Sequence, residues 1–175
     1  GTIFLSAANT GAFSAPNNIV YGHHLNNGSM FACFADFADQ ATFDEHRTIY
    51  LLTPQGNYRL TTFSLMHVDE NDPLAQTRFT DDAARVEYVQ DKIDRSVVKA
   101  DGIAAASDMG RTFAFATCDN VVSSKRYVLF ASVTERPAAA SAEPDAGQAV
   151  GEAAAETTGE AAGEASSGDA GEATA

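Results

Sequence analysis

The last aromatic residue of this 175-residue chain is Phe130. Beyond Arg136 the composition shifts to Ala, Glu, Gly, Ser and Thr, in loose repeats such as GEAAAETTGEAAGEASSGDAGEATA. Repeats of this kind build no apolar face beyond Ala. Each recurring Gly also weakens a helix by about 1 kcal/mol relative to Ala. Such a segment cannot offset the entropy of ordering its backbone, so residues 137–175 are expected to be a disordered acidic tail. Any fold must therefore be made by residues 1–136, read as one domain.

Charge follows the same break. The chain carries a net −13, and residues 137–175 hold eight acids with no Lys or Arg. That leaves residues 1–136 at about −5, by simple difference. Neither part has a basic stripe, so nucleic acid is excluded as a partner on electrostatic grounds. Cys33 and Cys118 are the two cysteines. They are too few for a disulfide framework or a four-ligand zinc site, although a single bridge between them remains open. No CxxC is present, which argues against redox chemistry. The acidic loop Asp69, Glu70, Asp72 lacks the spacing of a calcium loop and reads as solvated. No cofactor or metal is expected. No apolar run reaches the length of a membrane span, and GTIFLSAANT lacks the charged start of a signal peptide. Thr2 to Leu5 already reads as a strand, an abrupt opening that suggests a fragment.

Within residues 1–136 the β-branched and aromatic content predicts strands over 19–21, 48–52, 58–66, 112–117 and 126–133. TPQGNY, with Gly56-Asn57, reads as a hairpin turn between the second and third of these. Ser29 is expected to cap a helix through SMFACFADFADQ, with Met30, Phe34, Phe37 and Ala38 on one face. Thr80 is expected to cap a longer helix through TDDAARVEYVQDKIDRSVV, its first-turn acids favoured by the helix dipole. Strands outnumber helices and rarely alternate with them. The expected fold is mainly β with inserted helices (α+β), a barrel-like sheet with a long helix between two late strands.

Chemistry is concentrated in three strand ends. FAFATCD closes a strand on Cys118. A thiol is a nucleophile only as the thiolate, so it needs a neighbour that assists its ionisation. His23 follows a glycine at the end of NNIVYG, where an imidazole would be displayed. Arg126 opens the next strand after a short connection, DNVVSSK, which would return it beside Cys118. Spacing alone makes a meeting of thiol, imidazole and guanidinium plausible. It leaves Cys118 as a core thiol, or a non-catalytic peptide-binding β-domain, as open alternatives. Cys33, among Phe31, Phe34 and Phe37, reads as a buried or half-buried thiol. His24 reads as a packed or exposed neighbour. His46 and His67 read as loop or surface groups. Thr117 and Asp119 flank the thiol and are candidates for contact with a ligand. His67, in SLMHVDEND, is a further candidate for the edge of a groove.

The wording of the sequence adds a family. NNIVYGHHLNNGSMFACFADFADQATFDEH resembles the His segment of class B sortases, in which YGHH or YGHN ends a strand and GSMF opens a helix. FATCD resembles the family's TLxTC motif, and KRYVLFASV its following Arg strand. Ala114-Phe115-Ala116-Thr117-Cys118 keeps the Thr-Cys pair and changes the first Thr and the Leu. The resemblance runs from about Gly1 to Val133, with three motifs in order at family-like spacing. It implies an eight-stranded β-barrel whose anchor, helical segment and first strands precede the point matched by Gly1. It also implies a cysteine transpeptidase on the outer face of a Gram-positive cell membrane. Cys118 would attack a Thr carbonyl in a C-terminal sorting signal. His23 would serve as general acid and base, and Arg126 would bind the substrate carbonyl or oxyanion. The partners implied are the sorting-signal peptide and an amine acceptor from a peptidoglycan precursor or a pilin.

Overall fold

The computed structural model describes residues 2–9, 11, 13–54, 56–69, 71–72, 76–118 and 124–135. Asp119 and the expected tail at 137–175 lie outside the described residues. Six strands form one sheet: β1 (Phe4–Leu5), β2 (Asn17–Tyr21), β3 (Thr48–Leu51), β4 (Tyr58–Asp69), β5 (Thr112–Cys118) and β6 (Lys125–Glu135). Their order across the sheet is β1-β2-β5-β6-β4-β3. Only β2 and β5 run parallel; the other four pairings are antiparallel. The helices α1 (Cys33–Asp36), α2 (Gln40–Glu45) and α3 (Asp82–Asp94) sit in the connections, α3 between β4 and β5. The mainly-β fold with inserted helices is as expected. Among the described residues the sheet is open, with β1 and β3 at its edges.

Both faces of the sheet are covered, which explains why its central strands carry near-continuous apolar runs. One face packs Ile19, Met66, Val68, Ala114, Ala116, Val128 and Phe130 against Tyr88 and Val89 of α3. The other packs Val20, Leu65, Phe113, Phe115, Leu129 and Ala131 against Phe31, Phe37 and Phe43 from the α1–α2 segment. Successive side chains of a strand point to opposite faces, so residue parity along β5 and β6 decides which layer each one meets. Phe43, Phe113 and Phe130 are fully buried. Each such ring contributes on the order of 1.5–3 kcal/mol relative to an exposed one.

Two helix starts differ from expectation, each for a local reason. Ser29 does not cap a helix. Met30 has φ of 66° and bridges back to His24, a left-handed backbone that cannot begin an α-helix. The Ser29 amide and hydroxyl both donate to the Asn27 side chain. The predicted single helix is instead two short ones. Asp39 starts the second by accepting from the Thr42 amide at 2.9 Å. That bond also holds the Asp39 carboxyl below its usual pKa. In α3 the cap is Asp81 rather than Thr80, its side chain accepting from the Ala84 amide at 2.8 Å. This helix ends at Asp94 because Ser96 and Val97 turn to β4. The Leu65 amide donates to Ser96 Oγ, and the Val97 amide donates to the Leu65 carbonyl. There β4 has run past the end of its β3 partner, whose pairing stops at Thr48 opposite Thr61.

One buried polar residue fixes the strand pair that carries the candidate site. Asn17, at the start of β2, is fully buried. Its amide donates to the Gln76 carbonyl and the Tyr88 hydroxyl, and its carbonyl accepts from Thr112 Oγ1 at 2.9 Å. A buried amide is tolerable only when its bonds are made, so these partners hold β2, β5 and α3 in one register. Burial drives the Tyr88 hydroxyl well above its ordinary pKa, so it stays protonated. The Lys92 ammonium sits 2.6 Å from Asp91 and 4.6 Å from the centre of the Tyr88 ring, which accounts for its near-complete burial.

Candidate active site

The ends of β2, β5 and β6 meet at one cavity of about 290 Å³. Phe4, Tyr21, Gly22, His23, Ala116, Thr117, Cys118 and Arg126 line it. The register explains why the three polar groups face one way. Cys118 pairs directly across from Arg126 in the β5–β6 ladder. Opposed residues in an antiparallel pair project to the same face, with Cβ atoms about 4.5–5.5 Å apart. Both continue the parity of Ala114, Ala116, Val128 and Phe130, the layer that packs on α3. β2 runs parallel to β5 with Tyr21 opposite Ala116. The Gly22 amide donates to the Ala116 carbonyl at 3.1 Å, which delivers His23 to the same end of the sheet. Phe4 stacks on Tyr21 with ring centres 5.5 Å apart and forms an apolar wall.

The structure therefore brings together Cys118, His23 and Arg126, all three singled out in the sequence. Cys118 is a free, exposed thiol. Thr117 also lines the cavity; it is 2% exposed, and its hydroxyl has no hydrogen-bond partner among the described residues. His67 lies elsewhere. It belongs to β4 rather than to a loop, opposite Tyr127, and its ring stacks on that of Tyr127 at 4.3 Å and 8°. Tyr127 packs with the α1-side layer, so the pair is on the other face of the sheet from Arg126. Cys33 is exposed, not buried, because Phe31, Ala32 and Phe37 take the inward positions around α1. Partial burial and then the nearby Asp36 carboxylate push its thiol pKa up. Among the described residues no group of three His, Cys, Asp or Glu is placed to hold a metal ion.

Sequence reasoning passed over Gly22. A Cβ there would lie 2.5 Å from the Phe31 ring. That ring is pinned by Phe34 at 4.6 Å and Phe115 at 6.0 Å, so it has little room to yield. Gly22→Ala is expected to lower stability by about 1–3 kcal/mol, the usual cost of overpacking. It should also lower activity by displacing His23. Thermal melting checks the first effect. Adding Phe31→Leu, which shortens the opposing side chain, should recover part of the loss.

No family model matches the chain. Among solved structures, the sortase B of the Streptococcus pneumoniae type II pilus is 32% identical, with a TM-score of 0.68 over 77% of each chain. The chain belongs to the class B sortases. A Clostridium perfringens sortase B is 25% identical with a TM-score of 0.71, covering 77% of this chain and 74% of that one. Staphylococcus aureus sortase B is 27% identical over 135 residues, 76% of this chain and 54% of the relative. A Staphylococcus aureus sortase B–substrate complex matches at 27% identity and a TM-score of 0.68, over 77% of this chain and 62% of that one. The chain spans about half the length of the curated sortase B relatives it matches. Among the described residues of this class B sortase, no helix is long and apolar enough to cross a membrane.

Proposed function

We propose that this chain carries the catalytic centre of a cysteine transpeptidase that acts on C-terminal sorting signals at the outer face of a Gram-positive cell membrane. The single observation behind this reading is the cavity that Cys118, His23 and Arg126 line together. Each comes from a different strand end, and the thiol is open to solvent. Relatives solved with a substrate and with a triglycine ligand support a peptide donor and an amine acceptor as the two partners.

The chemistry follows from the three groups. Cys118 Sγ attacks the carbonyl carbon of the Thr residue as a thiolate. The carbonyl π electrons move onto oxygen, where the Arg126 guanidinium donates hydrogen bonds to the developing charge. The C–N bond then breaks, and the leaving amine takes a proton from His23. A thioester to Cys118 remains. An incoming amine attacks it and gives a proton to His23, and Sγ departs as the new amide forms. Splitting one amide exchange into two acyl transfers lowers each barrier. No water is consumed and the bond count is conserved.

A thiol-labelling experiment tests the reading. In a Cys33→Ser background, a methanethiosulfonate reagent should modify Cys118. An Asn-Pro-type pentapeptide sorting signal should slow that modification and should itself be cleaved after Thr. Labelling slowed by peptide with no cleavage would instead leave a peptide-binding β-domain. Labelling indifferent to the peptide would remove both.

A further inference from the structure

We propose that His24, adjacent to the candidate general acid/base, is a positioning residue that holds the Cys118 peptide in place through its imidazole. This rests on the reading of Cys118 as nucleophile. The argument begins with the β2–β5 ladder. Its last regular pair is Tyr21 with Ala116, and the Gly22 amide donates to the Ala116 carbonyl at 3.1 Å. In a parallel ladder, bonds recur every second residue along each strand. The next bond would therefore run from the His24 amide to the Cys118 carbonyl.

The backbone does not continue that way. β2 ends at Tyr21, and His24 bridges antiparallel to Met30 across the Leu25–Ser29 turn. The Phe31 amide closes the turn by donating to the His23 carbonyl at 2.9 Å. The Gly28 amide donates to the Leu25 carbonyl inside it. Met30 accepts a left-handed φ of 66° to make this path possible. The Cys118 carbonyl would lose its ladder partner as a result. His24 Nδ1 lies 3.1 Å from it and replaces that bond. A carbonyl only accepts, so Nδ1 carries the hydrogen. The side chain of His24 thus stands in for the ladder donor at the position where the strand leaves the sheet.

The consequence is geometric. Cys118 is the last residue of β5, held on one side by its pairing with Arg126 in β6. The His24 bond supplies the hold on the other side and ties the thiol-bearing peptide to the segment that carries His23. Sulfur and imidazole are then positioned by one short, closed unit rather than by two independent strand ends.

Steady-state kinetics with a fluorogenic sorting-signal peptide test the proposal on the whole chain. His24→Ala should lower kcat by about tenfold or more, the range produced by small misplacements of reacting groups, while KM stays within about twofold. His24→Asn keeps an amide donor near the position of Nδ1 and should restore kcat to within about threefold. In the unaltered protein, the ¹⁵N spectrum of histidine-labelled chain should show His24 protonated at Nδ1 and bare at Nε2 at alkaline pH. An Nε2–H tautomer, full activity in His24→Ala, or an Asn variant as slow as the Ala variant would each overturn the role of His24 while Cys118 remains the nucleophile. Absence of turnover in the unaltered protein would remove the nucleophile reading and this role with it.

Discussion

Cys118→Ala will reduce sorting-peptide turnover to background, by on the order of 10⁴-fold or more, as loss of a covalent nucleophile does elsewhere. The proposed mechanism routes every acyl transfer through Sγ, and no other described side chain of the cavity can replace it. Tyr21 and Thr117 also line the cavity, but an unactivated hydroxyl is a weak nucleophile, and Thr117 pairs with Tyr127, which turns its side chain to the opposite face from Cys118. The substitution removes one exposed atom and leaves the β5–β6 ladder intact. Melting temperature should therefore hold to within a degree or two, in keeping with surface changes that shift stability by less than about 0.5 kcal/mol. Peptide affinity, read by fluorescence anisotropy, should stay within about threefold, since the apolar wall of Phe4 and Tyr21 is unchanged. Cys33→Ser is the matched control. Cys33 borders a different cavity, with His24, Asn26 and Asp36, and its loss should leave turnover unaltered. Measurable turnover in Cys118→Ala, with peptide release on the same bond, would take the nucleophile away from this thiol.

The strand ends that carry this chemistry are legible in the sequence because local rules set them. A short connection between two strand-like runs implies an antiparallel pair, and such a pair puts Cys118 near Arg126. The parallel partner of β5 is not legible in the same way. Nothing in NNIVYG states that it lies beside FAFATC; that contact is set by Asn17, whose partners Gln76, Tyr88 and Thr112 are scattered along the chain. The family motifs carry that information instead. His67 reads as a loop or surface group just past the strand predicted over 58–66, whereas β4 continues to Asp69 under its pairing with β6. The single helix predicted after Ser29 fails on backbone geometry. The face of Met30, Phe34 and Phe37 is apolar at helical spacing, but the tight return from His24 forces Met30 out of the helical region. A clue is present in Asn27-Gly28, a turn dipeptide immediately before the expected cap. His24 is invisible in the sequence as a partner of Cys118, since its bond exists only where a ladder stops.

Arg126→Ala will lower kcat by about 10²–10³-fold, the cost of removing one donor to a developing oxyanion. The position favours that role over a structural one. Arg126 opposes Cys118 in the ladder, so its guanidinium and the sulfur leave the sheet on the same side. Among the described residues no carboxylate forms an ion pair with it, unlike Arg59, Arg85 and Arg95, whose side chains are taken by Glu135, Asp82 and Asp72. A half-buried guanidinium with no carboxylate partner among the described residues can take the developing oxyanion of a substrate. Arg126→Lys keeps the charge but loses the planar fork, so it should recover only part of the loss, still about tenfold below the unaltered protein. The interaction is made most strongly in the transition state, so KM should move less than kcat in both variants. If Arg126→Ala holds kcat within threefold, or if KM alone rises, the guanidinium binds the peptide without stabilising the oxyanion. The charge on oxygen would then have to be met by backbone donors at the same strand ends.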